Sequence, residues 1–171
     1  MKKIIALSLC LLAGIVVAQA QKFALIDMEY IMENIPAYQQ ANAQLSQASQ
    51  QYQKAVEAKA KEAETLYKAY QKSAQTMSAA QKTQKEEAIV AKEREAAELR
   101  QKYFGPEGEL AKKQEELISP IENKVYEAVK QISLRQGYDA VIDRSSASSL
   151  IFASPRIDIS NEVLSMLGYS N

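Results

Sequence analysis

The sequence contains no histidine and a single cysteine, Cys10, among its 171 residues. Cys10 lies inside an N-terminal leader, so the chain that follows the leader has neither a thiol nor an imidazole group. Disulfides, cysteine nucleophiles, histidine acid/base catalysis and most zinc sites are therefore excluded. The composition argues against an enzyme, and we expect no cofactor and no metal.

Glycine is also scarce, with five residues in the chain. One lies in the leader, two flank Pro106, and Gly137 and Gly168 fall where helices are predicted to end. None remains for a phosphate-binding loop, which needs glycines where the backbone approaches the phosphate. No motif for ATP hydrolysis is therefore present.

The chain lacks an excess of either charge. It carries 21 basic and 21 acidic residues, and loss of Lys2 and Lys3 with the leader would leave 21 − 2 = 19 basic residues. A protein that binds nucleic acid would show a clustered basic excess. We therefore expect no nucleic-acid partner, and we interpret the lysines of the long helices as a solvated face.

Residues 1–20 have the pattern of a signal peptide. Two lysines precede an apolar run over residues 4–17, and Ala18-Gln19-Ala20 fits the cleavage pattern. The run is shorter than the roughly 20 residues that a membrane span needs. Cys10 follows a leucine where a lipoprotein would carry a small residue, which argues against lipidation. We expect export and cleavage after Ala20.

The stretch from Ala37 to Phe104 contains neither glycine nor proline and is predicted to be helical almost throughout. Alanine, glutamine, lysine and glutamate dominate it, and these residues lose little side-chain entropy in a helix. Its apolar residues recur at steps of three and four, as in a coiled coil, and a step of four after Tyr52 indicates a stutter. The stripe comprises Tyr38, Ala41, Leu45, Ala48, Tyr52, Val56, Ala60, Ala63, Tyr67, Tyr70, Ala74 and Met77.

A straight helix of this length would span roughly 100 Å, so the stretch must fold back or pair. Residues 76–81 suit a turn best, because Ser78 can cap a new helix and Gln81 can complete a capping box. The result is an antiparallel helical hairpin whose alanine-rich seam buries little area. The second stripe comprises Ile89, Lys92, Ala96, Leu99 and Tyr103.

Gly105-Pro106-Glu107-Gly108 is the clearest break in the helical pattern. We interpret Gly105, Pro106 and Gly108 as a hinge of the arm. Helix is expected to resume at about Glu109 and to end at Gly137, and Ser119-Pro120-Ile121-Glu122 is compatible with a second kink. The resumed stripe comprises Leu110, Leu117, Ile121, Val125, Ala128, Val129 and Ile132.

Three short apolar segments predict strands, at residues 22–27, 138–143 and 150–153. A brief helix is expected after the first strand, and a terminal helix capped by Ser160 after the last. Because the strands come from both ends of the chain, they are expected to join in one small sheet, which gives an α+β fold that is mostly helical. The regions are the signal peptide 1–20, a body formed by 21–36 and 119–171, and arms formed by 37–118.

Polar residues at the strand ends allow a functional and a structural interpretation. Asp27, Asp139 and Asp143 can meet as a carboxylate or metal cluster, but aspartates at strand ends are far more often turn formers. The serines of residues 145–149 have no base to activate them, so we interpret them as a polar loop.

Tyr52, Tyr67, Tyr70 and Met77 are the candidate contacts for an apolar partner, since tyrosine and methionine make adaptable contacts. The alternative is that they pack in the seam between the two helices of the arm.

The layout resembles a known family. Ile121-Glu122-Asn123-Lys124-Val125, Tyr138-Asp139-Ala140-Val141-Ile142-Asp143 and Asp158-Ile159-Ser160, in this order of elements, resemble the Skp (OmpH) family of periplasmic chaperones over essentially all of residues 21–171. The resemblance implies a homotrimer with a β body and helical tentacles that holds unfolded outer-membrane proteins without ATP. Relatives are often strongly basic, whereas this chain without its leader is slightly acidic, so contact with a membrane is left open.

In such a trimer the strands of three protomers would share one core, because three short strands alone leave exposed edges and an uncovered face. A structural coiled-coil spacer or adaptor of the cell envelope is the alternative function, since it shares the helices but needs one fixed partner. The candidate core residues of the body are Phe23, Leu25, Val141, Ile142, Ile151 and Phe152.

Overall fold

The computed structural model describes residues 21–169, and the predicted signal peptide lies outside them. The fold is α+β and mostly helical, with a small sheet, as predicted. Its elements are strand β1 (Phe23–Ile26), helix α1 (Met28–Glu33), helix α2 (Pro36–Ser73), helix α3 (Ala79–Phe104), helix α4 (Glu109–Gln136), strand β2 (Ala140–Asp143) and helix α5 (Ser160–Met166), with 3₁₀ turns at Ala74–Thr76 and Pro155–Ile157.

Helices α2 and α3 form the predicted hairpin. Pro36 occupies the first turn of α2, where its missing N–H costs no hydrogen bond. At the tip, the Ser78 hydroxyl accepts a hydrogen bond from the Gln81 amide, and the Gln81 side chain accepts one from the Ser78 amide. This reciprocal capping box starts α3 and confirms the predicted position of the turn.

Helix α4 runs from Glu109 to Gln136 with Pro120 inside it, so this proline does not divide the helix. The side chain of Pro120 is exposed, while Ile118 and Ile121 on either side of it are buried. Burial of the inward face therefore carries the helix across a residue that removes one backbone hydrogen bond. Gly137 ends the helix with a positive φ of 69°, a conformation that favours glycine.

Strands β1 and β2 pair in parallel, from Phe23 opposite Ala140 to Ile26 opposite Asp143. The two ends of the hairpin are thereby joined into one sheet. On its other edge β1 meets the chain near Asp158, where the Ile159 amide donates to the Leu25 carbonyl at 2.9 Å.

The predicted third strand over residues 150–153 is wrong, since the sheet of residues 21–169 has two strands. Ile151 and Phe152 are 101% and 83% exposed. A strand forms only against a neighbouring edge, and the free edge of β1 is taken by the chain near Asp158 instead. Nothing within the described protomer buries this apolar segment.

Ser160 is the first residue of α5 rather than its cap, which corrects the prediction. Its hydroxyl accepts a hydrogen bond from the Asp27 amide at 2.8 Å. Its own amide donates to the Asp158 carboxylate at 2.9 Å. Ser160 therefore connects the C-terminal helix to the end of β1, a contact with a residue distant in sequence that no local capping pattern reveals.

The core lies in the body, where α1, α4, α5 and the sheet pack around the start of α2. The largest fully buried side chains are Ile31, Val125, Ile132 and Val163. Farther along the arm, the buried residues of the hairpin are mostly alanines: Ala48, Val56, Ala63, Ile89 and Ala96.

The stripe of α2 follows the prediction at most positions, including Ala63, Tyr70, Ala74 and Met77 beyond the stutter, and departs from it at two. Beyond Val56, Lys59 and Leu66 are half-buried, whereas the predicted Ala60 and Tyr67 are exposed. Ala48, Tyr52 and Val56 are separated by two successive steps of four residues. The next step is therefore three residues long and leads to Lys59, not to Ala60.

Candidate functional site

The arm carries an open groove between α2 and α3, with a volume of about 520 Å³. It exists because small residues fill the seam and leave space that larger side chains would occupy. Its lining is apolar with three charged groups: Val56, Ala60, Ala63, Glu64, Tyr67, Glu93, Ala96, Ala97 and Arg100. Such a surface can accept apolar side chains of an extended partner.

Tyr67 is the predicted contact residue that this groove brings into place. Its side chain is 49% exposed and lies among the alanines of both helices. Nearer the tip, Met77 is half-buried. Tyr70 is also half-buried, and its hydroxyl donates to Glu86 across the hairpin. This hydrogen bond, together with burial, raises the pKa of the Tyr70 phenol.

Tyr52 lies away from the groove, in the seam. Its ring stacks on that of Tyr103 with the centroids 4.1 Å apart and the planes 6° from parallel, and Phe104 meets it edge-on at 6.3 Å. Desolvation and the nearby carboxylate of Glu109 raise the Tyr52 pKa. Tyr52 and Tyr70 both contact the opposite helix, so the positions of these two candidates fit the alternative of seam packing.

Four charged residues form a network across the hairpin. Lys59 and Glu62 on α2 face Lys92 and Glu95 on α3, with cross-helix distances of 3.6 Å from Lys59 to Glu95 and 3.4 Å from Lys92 to Glu62. Hydrogen bonds from Lys92 to Glu95 and to Glu62 raise the Lys92 pKa, and the bond to Glu95 has the larger effect. Lys59, interpreted from sequence as a solvated residue, is thus a bridging residue.

The break between α3 and α4 is compact. The Gly105 amide donates to the Gln101 carbonyl at 2.9 Å, and the Gly108 amide donates to the Gly105 carbonyl at 2.8 Å. Lys102 and Glu109 form an ion pair of 3.2 Å across it. The three residues interpreted as a hinge therefore lie in an ordered turn directly beside the Tyr52 stack.

The body presents an apolar surface of its own. Of the candidate body residues, Leu25 is buried and Val141 packs against the protomer core. Residues of β2 and α4 line a groove of about 380 Å³ between these two elements. The remaining candidates are exposed large apolar side chains: Phe23, Ile142, Ile151 and Phe152.

The strand-end aspartates serve as turn and cap residues. Asp27 caps α1 by accepting from the Tyr30 amide at 2.9 Å, and Asp139 accepts from the Lys22 amide at 2.8 Å at the opposite end of the sheet. Partial burial acts to raise the pKa of Asp143, but hydrogen bonds from Ser145 and from the Met28 amide outweigh it and lower the pKa. No metal-holding cluster occurs within residues 21–169.

Sequence reasoning missed the cross-hairpin partners, although a signal for them exists. Tyr52 and Tyr103, Glu62 and Lys92, and Tyr70 and Glu86 each lie equally far, to within one residue, on either side of a tip between residues 77 and 78. Counting outward from the predicted turn would have paired them. Arg144, which bonds Asp27 at 2.9 Å and Asp158 at 3.2 Å, offers no such local signal.

Comparison with known proteins identifies the fold and the family. A family model described as "Outer membrane protein (OmpH-like)" matches residues 22–167. Chaperone protein Skp of Yersinia enterocolitica is 28% identical over 153 residues, which cover 90% of each chain. A crystal structure from Caulobacter crescentus CB15, described as OmpH-like, superposes with a TM-score of 0.66 at 16% identity and covers 86% of this chain and 84% of that one. Because the family model matches most of its length, this chain belongs to the OmpH-like outer membrane protein family.

Proposed function

We propose that this chain is an ATP-independent holdase chaperone of the periplasm, which binds unfolded outer-membrane proteins between its helical arms and prevents their aggregation. The observation that carries the proposal is the arm, a long hairpin with a shallow apolar groove and few large buried side chains. Many weak apolar contacts on a thin arm suit varied unfolded partners, because tethered weak sites raise the effective concentration. The likeness to a protein named chaperone Skp supports this function.

We also propose that three protomers assemble through their bodies into a homotrimer. The exposed side chains of Ile142, Ile151 and Phe152 support it, because burial of large apolar side chains against another chain is favourable. The edge of β2 that β1 leaves unpaired and the apolar segment 150–153 give each protomer both an edge and a segment that could pair with it. Mass measurement of the native complex tests this assembly.

Export with a cleaved leader completes the proposal. The family match begins at residue 22, two residues after Ala20, where cleavage is predicted. Among the helices of residues 21–169, none has both the length and the apolar character that a bilayer crossing requires. N-terminal sequencing of the protein recovered from the periplasm tests the cleavage.

The holdase function is tested by diluting an outer-membrane β-barrel protein from urea with and without the chain and without nucleotide. We expect light scattering to fall at one trimer per unfolded protein. Ala97→Glu places a charge in the groove and should weaken the suppression, whereas Ala88→Glu, on an exposed site of the same helix outside the groove, should not. Absence of suppression by the unaltered trimer would overturn the proposal.

Crosslinking in cells distinguishes the holdase from a structural spacer. A holdase that accepts many unfolded proteins should give a broad set of crosslinked products through a photo-reactive residue at Tyr67. One dominant product would favour the spacer or adaptor.

A further inference from the structure

At one level of the arm, both the outgoing helix and the returning segment of the chain are irregular. On the outgoing side, the stutter of α2 falls at Tyr52. On the return side, α3 ends at Phe104 and the chain turns through Gly105–Gly108 before α4 begins. The stack of Tyr52 on Tyr103 places these two irregularities directly opposite each other.

We infer that the arm bends at this level, and that the Tyr52–Tyr103 stack is a latch that holds the joint in the arrangement seen here. The ladder of backbone hydrogen bonds is interrupted between α3 and α4, so this side of the arm can bend without breaking helix. Only α2 is continuous there, and its stutter locally unwinds the supercoil that would otherwise stiffen it.

The turn itself depends on its glycines. A Cβ atom on Gly105 would lie 2.4 Å from the Gln101 carbonyl oxygen, and one on Gly108 would lie 2.8 Å from the Tyr103 carbonyl oxygen. Both contacts are with backbone atoms, which cannot move aside as the end of a side chain can. The closed turn therefore excludes alanine at both positions, although their φ angles of −64° and −71° suit any residue.

Few contacts hold the joint closed. Besides the aromatic stack and the edge-on contact of Phe104, an exposed ion pair joins Lys102 to Glu109 across the turn. The hydrogen bond to Glu109 also raises the pKa of Lys102. Because aromatic stacking and one exposed ion pair are both modest, the latch can open without unfolding the arm.

The joint is a property of the arm whatever the arm binds. Its consequence for binding rests on the proposed function: a released joint lets three arms spread around a larger unfolded protein, and a latched joint keeps the space between them small. Tyr52 is therefore a positioning residue, and it acts on the partner through the angle of the arm.

Distances between spin labels test the latch. Cysteines replace the exposed Lys85 on α3 and Lys124 on α4 in a Cys10→Ser background, and labelled chains are diluted with unlabelled ones so that distances within one chain dominate. Pulsed electron resonance then compares the unaltered chain with Tyr52→Ala, Tyr52→Phe and Tyr67→Ala. Tyr67 serves as the control, since it lies on the same helix but outside the stack.

We expect a narrow distance distribution for the unaltered chain and for the Tyr52→Phe and Tyr67→Ala variants, because phenylalanine keeps the stacking ring. Tyr52→Ala should add a second population, with about a two- to tenfold larger open fraction, as the strength of one aromatic pair implies. Tyr103→Leu removes the other ring and should do the same if Tyr52→Ala fails to fold. An unchanged distribution in the folded variant, or a broad one in the unaltered chain, would overturn the latch.

The aggregation assay separates the two proposals. If Tyr52→Ala broadens the distances while the unaltered chain suppresses no aggregation, the joint stands and the holdase function fails. If suppression is intact and the distances do not change, the latch fails alone.

Discussion

The body and the arm share helix α2, yet they are stabilised in different ways. In the body, α4 buries Val125 and Ile132 completely against α1 and α5. In the arm, the partner helices bury chiefly alanine, with Val56 and Ile89 as the larger exceptions. Burial contributes about 25 cal/mol per Å² of apolar area, so side-chain size decides where stability lies. A continuous helix can thus have a firm base and a soft end.

Polar contacts differ between the two regions as well. In the body, Arg144 joins carboxylates from the beginning and the end of the chain, Asp27 and Asp158. In the arm, the charged network around Lys59 and Lys92 is open to solvent and joins two neighbouring helices. Ion pairs that are open to solvent contribute little, so this network aligns the helices more than it stabilises them.

The largest expected effect is on the mass of the complex, and it should occur without unfolding of the chain. Phe152→Asp should reduce the mass of the native complex to that of one chain, because the exposed Phe152 lies outside the protomer core but inside the proposed interface. Helical circular dichroism should remain close to that of the unaltered chain. Native mass spectrometry and dichroism measure the two properties separately.

Phe104→Asp is the matched control in the arm. The same chemical change there should leave the mass of the complex unaltered, since Phe104 lies at the end of α3, beside Tyr52. A Phe152→Asp variant of full mass would show that the assembly does not depend on this segment.

Ile132→Ala and Ile89→Ala compare the two regions with one chemical change. We expect a loss of about 4 kcal/mol for Ile132, which is fully buried in the body, and about 2 kcal/mol or less for Ile89, because a thin arm can collapse around a small cavity. Urea denaturation followed by circular dichroism gives both values. An equal or larger loss at Ile89 would contradict the contrast between body and arm.

Removal of single ion pairs should have smaller effects on the free energy of unfolding. Arg144→Ala should cost about 1 kcal/mol, because it leaves two partly buried carboxylates without their partner. Arg94→Ala removes an exposed pair with Glu98 at 3.4 Å and should cost about 0.3 kcal/mol. Similar losses in the same denaturation experiment would mean that Arg144 does not connect the chain ends.

Acid should loosen the arm slightly before it affects the body. Hydrogen bonds from Lys59 and Lys92 lower the pKa of Glu62 from 4.5, and a hydrogen bond from Lys92 lowers that of Glu95. A carboxylate whose pKa is lowered by folding stabilises fully above its unfolded value and loses this contribution as the pH falls through the folded value. For Asp143 in the body the unfolded reference value is 3.8, so its contribution begins to decline at lower pH than those of the two glutamates.

Hydrogen exchange from pH 6 to pH 3, corrected for the intrinsic effect of pH, measures this order. Protection around residues 59–62 should fall first, and the change should be small because the network is exposed. A high salt concentration should reduce the pH effect in the arm. Loss of protection at the strands at a higher pH than around residues 59–62 would contradict this prediction.

Sequence predicted those parts of the fold that depend on local chemistry. The helix start at Ser78, the break after Phe104 and the helix end at Gly137 each follow from a few adjacent residues, and the structure contains all three. The strand at 150–153 failed because its formation depends on a neighbouring edge. The role of Ser160 failed likewise, since its partner, the Asp27 amide, lies at the other end of the chain.

The candidate site was predicted less completely. The tyrosines were correctly singled out as stripe or near-stripe residues, but their individual surroundings follow from the phase after the stutter and from the pairing of α2 with α3. Lys59 takes the seam position predicted for Ala60, and Leu66 takes that predicted for Tyr67, which is therefore exposed. Periodicity in one helix contains no information about the opposite helix, so the stack of Tyr52 on Tyr103 follows only when residues are also counted outward from the turn.

The parallel pairing of β1 with β2 has a consequence for the order in which the chain folds. Phe23 pairs with Ala140, so the first strand to be synthesised must wait until nearly the whole chain has followed it. The hairpin contacts near the tip are local, and local helical contacts form within microseconds to milliseconds, whereas distant pairings are slower. We therefore expect the arm to form while β1 is still unpaired, with its apolar side chains open to water until the last strand arrives.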